Sequence, residues 1–121
     1  MLREVCFLIG SDGRVLWSDA GTGPGALPDR RARWKAIWQL REDLAEIAHS
    51  HPVGPLAFSQ EDETTMAALS LGLSRTLRFS IVTPTGVLVR AGGKEERPPH
   101  EPAWVAELRQ ASGVQGKRGE P

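Results

Sequence analysis

The chain has 121 residues, which suits one domain with a small core, and its 40% hydrophobic and 25% charged residues are ordinary for a soluble domain. Its 15 basic and 15 acidic side chains cancel, so binding to nucleic acid through a basic excess is not expected. The apolar runs are too short to span a membrane, and the N-terminus lacks the regions of a signal peptide. Because a single cysteine cannot form an internal disulfide, the sequence predicts a protein of the reducing cytoplasm.

The first part of the chain reads as a hairpin, a loop and a helix. The apolar run 5–10 and residues 15–17 flank a Ser-Asp-Gly turn, which predicts two paired strands. A loop rich in glycine and proline follows at 20–28, and it is either a substrate-contacting segment or an ordinary surface insertion. Asp29 can then cap a helix. The apolar face of this helix, with both tryptophans expected to face the core, comprises Trp34, Ile37, Trp38 and Leu44.

The second part begins with a short strand over 45–51 and a loop that leads into another helix. Ser59 is a good N-cap for this helix. Asp62 lies three residues later, where the helix dipole favours a carboxylate, and on the same inward face as Met66. The remaining predicted segments are a hairpin of strands 77–82 and 87–90, a polar stretch from Gly92, and a helix over 102–111. The order of elements predicts an α/β fold with a mixed, largely antiparallel sheet flanked by helices.

The candidate chemistry lies where the central strand ends. His49 and His51 are two residues apart, so on an extended strand both imidazoles leave the same face, while Ser50 points to the other face as a small packing residue. The inward face of the next helix carries Asp62 toward them. Two nitrogens and one oxygen are the ligands of a catalytic zinc, which keeps a fourth position for water. The sequence therefore predicts a catalytic zinc site.

These residues also resemble a known family. His-Ser-His-Pro at 49–52, followed by Ser59 and Asp62, is similar to the core signature of the JAMM (MPN+) zinc metallopeptidases of the compact prokaryotic type. The segment 4–10, which begins with Glu4, is similar to the upstream part of the family pattern, although many members have Gly where Phe7 stands. The resemblance spans roughly residues 4 to 90.

The resemblance implies an isopeptidase that uses a Zn²⁺ ion held by His49, His51 and Asp62. It implies that Glu4 is the general base and that Ser59 donates a hydrogen bond toward the tetrahedral intermediate. The implied substrate is a ubiquitin-like or sulfur-carrier protein whose C-terminal tail is joined to an amine or to cysteine. The implied fold is the MPN type, with a cytidine-deaminase-like architecture. The expected division is a catalytic domain over 1–92, a linker with a short helix over 93–111, and a disordered tail over 112–121.

Several alternatives stay open from the sequence. Glu4 can instead be a surface residue of a frayed terminus, and the weaker candidates for a base are Glu46, Glu61 and Glu63. The whole chain can instead be a catalytically inactive MPN-like scaffold. A RadC-type protein associated with DNA repair is a lesser alternative, since that group carries a similar histidine segment and Gly54 matches it.

Overall fold

The computed structural model of the protein describes residues 1–25 and 27–114, and it has an α/β fold with one six-stranded sheet. The strands are β1 (Val5–Gly10), β2 (Val15–Ala20), β3 (Leu44–Ser50), β4 (Arg78–Val82), β5 (Val87–Ala91) and β6 (Lys94–Glu96). The helices within these residues are α1 (Arg31–Gln39), α2 (Gln60–Leu73) and α3 (Ala103–Ala111). None of these helices is long and apolar enough to cross a membrane.

The sheet is mixed, as predicted, and most of its pairs are antiparallel. Its strand order is β2-β1-β3-β4-β5-β6, in which only β3 and β4 run parallel. A parallel pair needs a crossover connection, and α2 provides it between β3 and β4. The end of β3 therefore lies in the middle of the sheet, directly before the segment that leads into α2.

Each face of the sheet has its own hydrophobic core. Alternate residues of β1 point to opposite faces, so Phe7 packs on one side and Leu8 on the other. One face is covered by α3, through the buried side chains Trp104, Val105 and Leu108. The other face is covered by α1 and α2, through Ala36, Ile37, Met66 and Leu69.

Helix α1 differs from the prediction in three respects. It ends at Gln39, and Leu44 begins β3 instead of continuing the helix. Asp29 does not cap it, because the N-cap residue is Arg30 and the Asp29 carboxylate accepts a hydrogen bond from the Trp34 indole. The two tryptophans expected in the core are 38% and 57% exposed, at Trp34 and Trp38. The small residue Ala36 and its neighbour Ile37 make the close contact with the sheet instead.

The end of the chain also contains structure that the sequence did not indicate. Residues 92 and 93 are glycines with φ values of +58° and +81°, and they turn the chain into β6. All three residues of β6 are exposed, so no hydrophobic alternation marked this strand. Ser112, which was placed in the predicted disordered tail, is fully buried behind α3. The rest of that predicted tail, from residue 115 onward, lies outside the described residues.

Candidate metal centre

The two histidines lie at the end of β3, in the middle of the sheet. His49 is paired with Cys6 of β1 on one side and with Ile81 of β4 on the other. His51 follows the strand, and its backbone N–H donates to the Val82 carbonyl at 2.8 Å, so the extended path continues past the strand end. Both imidazoles line the cleft on the α1 and α2 side of the sheet, with ring centroids 4.9 Å apart.

Helix α2 brings Asp62 to the same place through its first turn. Ser59 is the N-cap, as predicted, and its Oγ accepts a hydrogen bond from the Asp62 backbone N–H at 3.0 Å. In return, the Asp62 carboxylate accepts from the Ser59 backbone N–H at 2.7 Å. This capping box satisfies two N–H groups at the helix start. It also fixes the orientation of the carboxylate that faces the histidines.

The Asp62 carboxylate reaches both imidazole rings. Its Oδ1 lies 2.8 Å from His49 Nε2, and its Oδ2 lies 3.6 Å from His51 Nε2. His51 Nδ1 lies 2.9 Å from the carbonyl oxygen of Pro55. Because a carbonyl can only accept, His51 Nδ1 carries the hydrogen and donates it, which leaves the Nε2 lone pair free for a cation. The three predicted metal ligands are therefore close together, with their ring and carboxylate atoms facing one another.

Glu4 approaches the other ring nitrogen of His49. Its Oε1 lies 3.7 Å from His49 Nδ1, and the residue is only 8% exposed. Its backbone N–H donates to the Gly23 carbonyl at 3.0 Å, and its carbonyl accepts from the Gly21 N–H at 2.8 Å. Glu4 is therefore a buried residue with a fixed backbone and does not belong to a frayed terminus.

The two carboxylates control the charge of the His49 ring. Burial disfavours the protonated ring, but the hydrogen bond to Asp62 and the nearby Glu4 outweigh burial and raise the pKa of His49 to about 9. Burial also disfavours the Asp62 carboxylate, but the hydrogen bond from His49, the nearby His51 ring and the hydrogen bond from the Ser59 backbone outweigh it and hold the pKa of Asp62 well below its usual range. A metal ion that binds His49 must therefore displace a proton from the ring.

Two sets of these donors fit a divalent metal ion, and both sets include the two histidines. Ligand atoms of Glu4, His49 and His51 all lie within 4.8 Å of one another, while Asp62 contacts the same two rings from another side. His49 Nδ1 is buried and has no hydrogen-bond partner among the described residues, so it can serve a ligand. Imidazole and carboxylate donors suit zinc and also other first-row divalent metals. Three protein ligands would leave a position open, whereas four would close the site.

The donors line an open cleft of about 620 Å³. Ser59 also lines it and is exposed, and its O–H remains available to donate because its Oγ accepts from Asp62. The predicted loop 20–28 forms part of the cleft wall through Pro24 and Leu27, while Ala26 lies outside the described residues. The wall also includes three apolar side chains from α1 and from the segment after β3, which are Trp34, Ile37 and Val53.

The weaker candidates for a general base have other surroundings. Glu46 points to the opposite face of the sheet, as predicted, and its carboxylate accepts a hydrogen bond from the Ser80 hydroxyl. Glu63 forms an ion pair with Arg90. Glu61 lines the cleft but is exposed on α2. Among the acidic residues weighed as a base, Glu4 is the one that approaches a histidine of the site.

Two features of the site had no signal in the sequence. The carbonyl of Pro55 orients His51, and the backbone of the loop after β2 fixes Glu4. Because every residue carries the same backbone carbonyl, no residue type in the sequence marks these contacts. Cys6 was predicted to be an inert buried thiol, and its burial is confirmed, since it is 2% exposed. Burial raises the pKa of its thiol to about 12, and its inertness near neutral pH stays a prediction.

Comparisons with models of known protein families and with curated proteins gave no match.

Proposed function

We propose that the protein is a zinc-dependent metallopeptidase of the JAMM (MPN+) type, with an MPN-like architecture, that acts in the cytoplasm. The observation that carries the proposal is the surroundings of His49. Asp62 contacts one nitrogen of this ring, Glu4 approaches the other, and His51 and Ser59 lie beside them in one open cleft. The resemblance of the sequence to the family assigns roles in one active site to these same residues.

In this proposal His49, His51 and Asp62 hold the zinc ion. When bound, zinc is a Lewis acid that lowers the pKa of a water to about 7. Glu4 accepts the proton of the attacking water and passes it to the leaving amine, for which its place beside His49 is suitable. Ser59 donates its free O–H to the carbonyl oxygen on which negative charge develops.

The proposed substrate is the C-terminal tail of a small ubiquitin-like or sulfur-carrier protein, joined to an amine or to cysteine. An extended tail can add to the sheet at β2, which is an edge strand. The last residue of β2, Ala20, is paired with Val5, the neighbour of Glu4. A tail paired with β2 would therefore lead toward the cleft. The proposal needs no nucleic acid and no membrane.

The test uses wild type, Glu4→Gln and Asp62→Asn, purified side by side. Zinc content is measured by elemental analysis, and hydrolysis is followed on ubiquitin-like proteins extended at the C-terminus by a peptide or by cysteine. We expect wild type and Glu4→Gln to hold about one zinc per chain and Asp62→Asn to hold little. We expect Glu4→Gln to lower kcat by roughly 10²- to 10⁴-fold, since it removes the proton acceptor but keeps the shape. A wild type that binds no zinc would refute the proposal.

One observation favours a second candidate, an inactive metal-binding scaffold. Glu4 lies close enough to both histidines to be a ligand itself. Glu4, His49 and His51 would then form the ligand set, and Glu4 would not be free to act as a base. In that case Glu4→Gln weakens zinc binding, whereas a general base can be replaced without such a loss. The zinc affinity of Glu4→Gln therefore separates the two candidates without any need for a substrate.

A further inference from the structure

We propose that two buried serines, Ser50 and Ser112, are positioning residues that hold Glu4 in register with the histidine strand. We call this pair the serine relay. The inference rests on the proposed function, in which Glu4 transfers a proton, and it assigns a role to α3, which contributes no side chain to the cleft.

The relay begins between the two histidines. Ser50 points to the α3 face of the sheet and is 1% exposed, and Ser112 behind α3 is fully buried. Their Oγ atoms lie 2.6 Å apart. The backbone N–H of Val5 donates to Ser50 Oγ at 3.0 Å, and Ser112 Oγ lies 2.8 Å from the Leu108 carbonyl oxygen.

The number of available hydroxyl hydrogens fixes which group donates in each hydrogen bond of the serine relay. The Leu108 carbonyl can only accept, so the single hydroxyl hydrogen of Ser112 is donated to it. Ser50 must then donate its own hydrogen to Ser112 while it accepts from Val5. The chain of donors is therefore Val5 N–H, Ser50 O–H and Ser112 O–H, and all of its hydrogen-bonding groups have partners. A buried network in which every member is satisfied makes its parts rigid.

Glu4 is fixed by α3 on its other side as well. The residue before it, Arg3, donates its backbone N–H to the Ser112 carbonyl at 3.0 Å and its Nε to the Ala111 carbonyl at 3.0 Å. The chain start passes so close to Gly113 that an added Cβ would lie 2.2 Å from the Met1 carbonyl oxygen. Glu4 therefore lies between Arg3, whose backbone is hydrogen-bonded to the end of α3, and Val5, whose backbone is hydrogen-bonded to Ser50.

This placement couples three parts of the proposed site. Ser50 is the residue between His49 and His51, so a movement of Ser50 moves both ligands. Val5 follows Glu4 directly, so the relay sets the distance between the proton acceptor and the ligand strand. A misplacement of about 1 Å at a reacting group can cost roughly 10²-fold in rate. The relay is therefore expected to affect kcat while the ligand atoms stay intact.

The test compares Ser112→Ala with Ser80→Ala in the full chain. Ser80 is a matched control because it is also 1% exposed and lies in β4, but it donates to Glu46, four residues before Ser50 on β3, and forms no hydrogen bond with either serine of the relay. Amide hydrogen exchange of residues 3–6, zinc content, kcat and KM are measured for both. We expect Ser112→Ala to speed exchange at residues 3–6, to keep about one zinc per chain, and to lower kcat roughly 10- to 100-fold with KM nearly unchanged. Ser80→Ala should leave exchange at residues 3–6 and kcat near the wild-type values.

Three outcomes would overturn the proposal. Unchanged exchange at residues 3–6 in Ser112→Ala would mean that the relay does not hold the start of β1. Faster exchange with an unchanged kcat would mean that Glu4 needs no such positioning. Equal losses in both variants would mean general destabilisation. If Ser112→Ala does not fold, Ser50→Ala gives the same comparison. If wild type hydrolyses nothing, the proposed function has failed, and hydrogen exchange alone decides whether the relay holds the strand.

Discussion

The two faces of the sheet are built in different ways. On the α3 face, Trp104 is 4% exposed and Val105 and Leu108 are fully buried, so the helix seals the sheet. On the α1 and α2 face, an open cleft remains between the helices, and Trp34 and Trp38 of α1 are substantially exposed. Both faces carry a buried core, but only the open face leaves room for chemistry beside its core.

The strand β3 joins these two faces residue by residue. His49 points to the open face, and Ser50 points to the sealed face, where it bonds to Ser112. Alternation along the strand thus places the groups that bind metal and the group that holds them at adjacent positions. A sealed core on one face can therefore support a site on the other through a single strand.

The largest expected effect is on the free energy of unfolding, and it comes from removing a tryptophan of the sealed face instead of one on the open face. Trp104→Ala removes a buried ring from the α3 core and should lower the free energy of unfolding by about 3–5 kcal/mol. Trp38→Ala removes an exposed ring that stacks on Arg41 and should cost less than about 1 kcal/mol. Urea unfolding followed by circular dichroism measures both values. Equal losses would show that the exposed Trp38 ring stabilises the protein as much as the buried Trp104 ring does.

A smaller effect is expected from the metal site on the open face. Zinc at about 100 times its dissociation constant should stabilise wild type by about 2.7 kcal/mol. Asp62→Asn should lose most of this gain, because it removes the carboxylate charge that faces both histidines. Glu61→Gln, one residue away and exposed, is the matched control and should keep it. Thermal unfolding with and without zinc gives the comparison. A full zinc effect in Asp62→Asn would exclude this residue as a ligand.

The parts of the site that the sequence predicted depend on short spacings. His49 and His51 share a face because they are two residues apart, and Asp62 faces inward because it lies three residues after the Ser59 cap. Both rules concern a few neighbouring residues, so no tertiary contact is needed to apply them. The two hairpins around 11–14 and 83–86 were predictable for the same reason.

The parts that escaped prediction depend on contacts distant in sequence. Ser50 and Ser112 are 62 positions apart, and neither serine carries a signal that it will meet the other. Trp38 was expected in the core because it falls on the apolar face of the predicted helix, but its ring is exposed and the cation of Arg41 covers it. Strand β6 pairs through its backbone with exposed charged side chains, so its pattern resembled that of a loop.

A still smaller effect is expected at the start of α2. Ser59→Ala removes the hydroxyl that accepts from the Asp62 N–H and should cost about 1 kcal/mol of stability. Ser59→Thr keeps a capping hydroxyl and should stay close to wild type. Chemical unfolding of the metal-free proteins measures the stability that the capping hydroxyl contributes, without any contribution from zinc binding. If Ala and Thr are equally stable, the capping box contributes nothing measurable, and the orientation of Asp62 must come from the histidines.

The smallest expected effect concerns Cys6, which lies on the open face beside His49 in the sheet. Although it lines the cleft, it is 2% exposed, and burial raises the pKa of its thiol to about 12. At pH 8 the native protein should therefore show almost no reaction with a thiol reagent over minutes, with or without zinc, since only the thiolate reacts. The unfolded chain should react completely and serves as the control. A native thiol that reacts as fast as the unfolded one would mean that solvent reaches the sheet below His49. Water would then reach the sheet on the open face while the α3 face still excludes it. The difference in solvent access between the two faces would therefore be larger than the burial of Cys6 indicates.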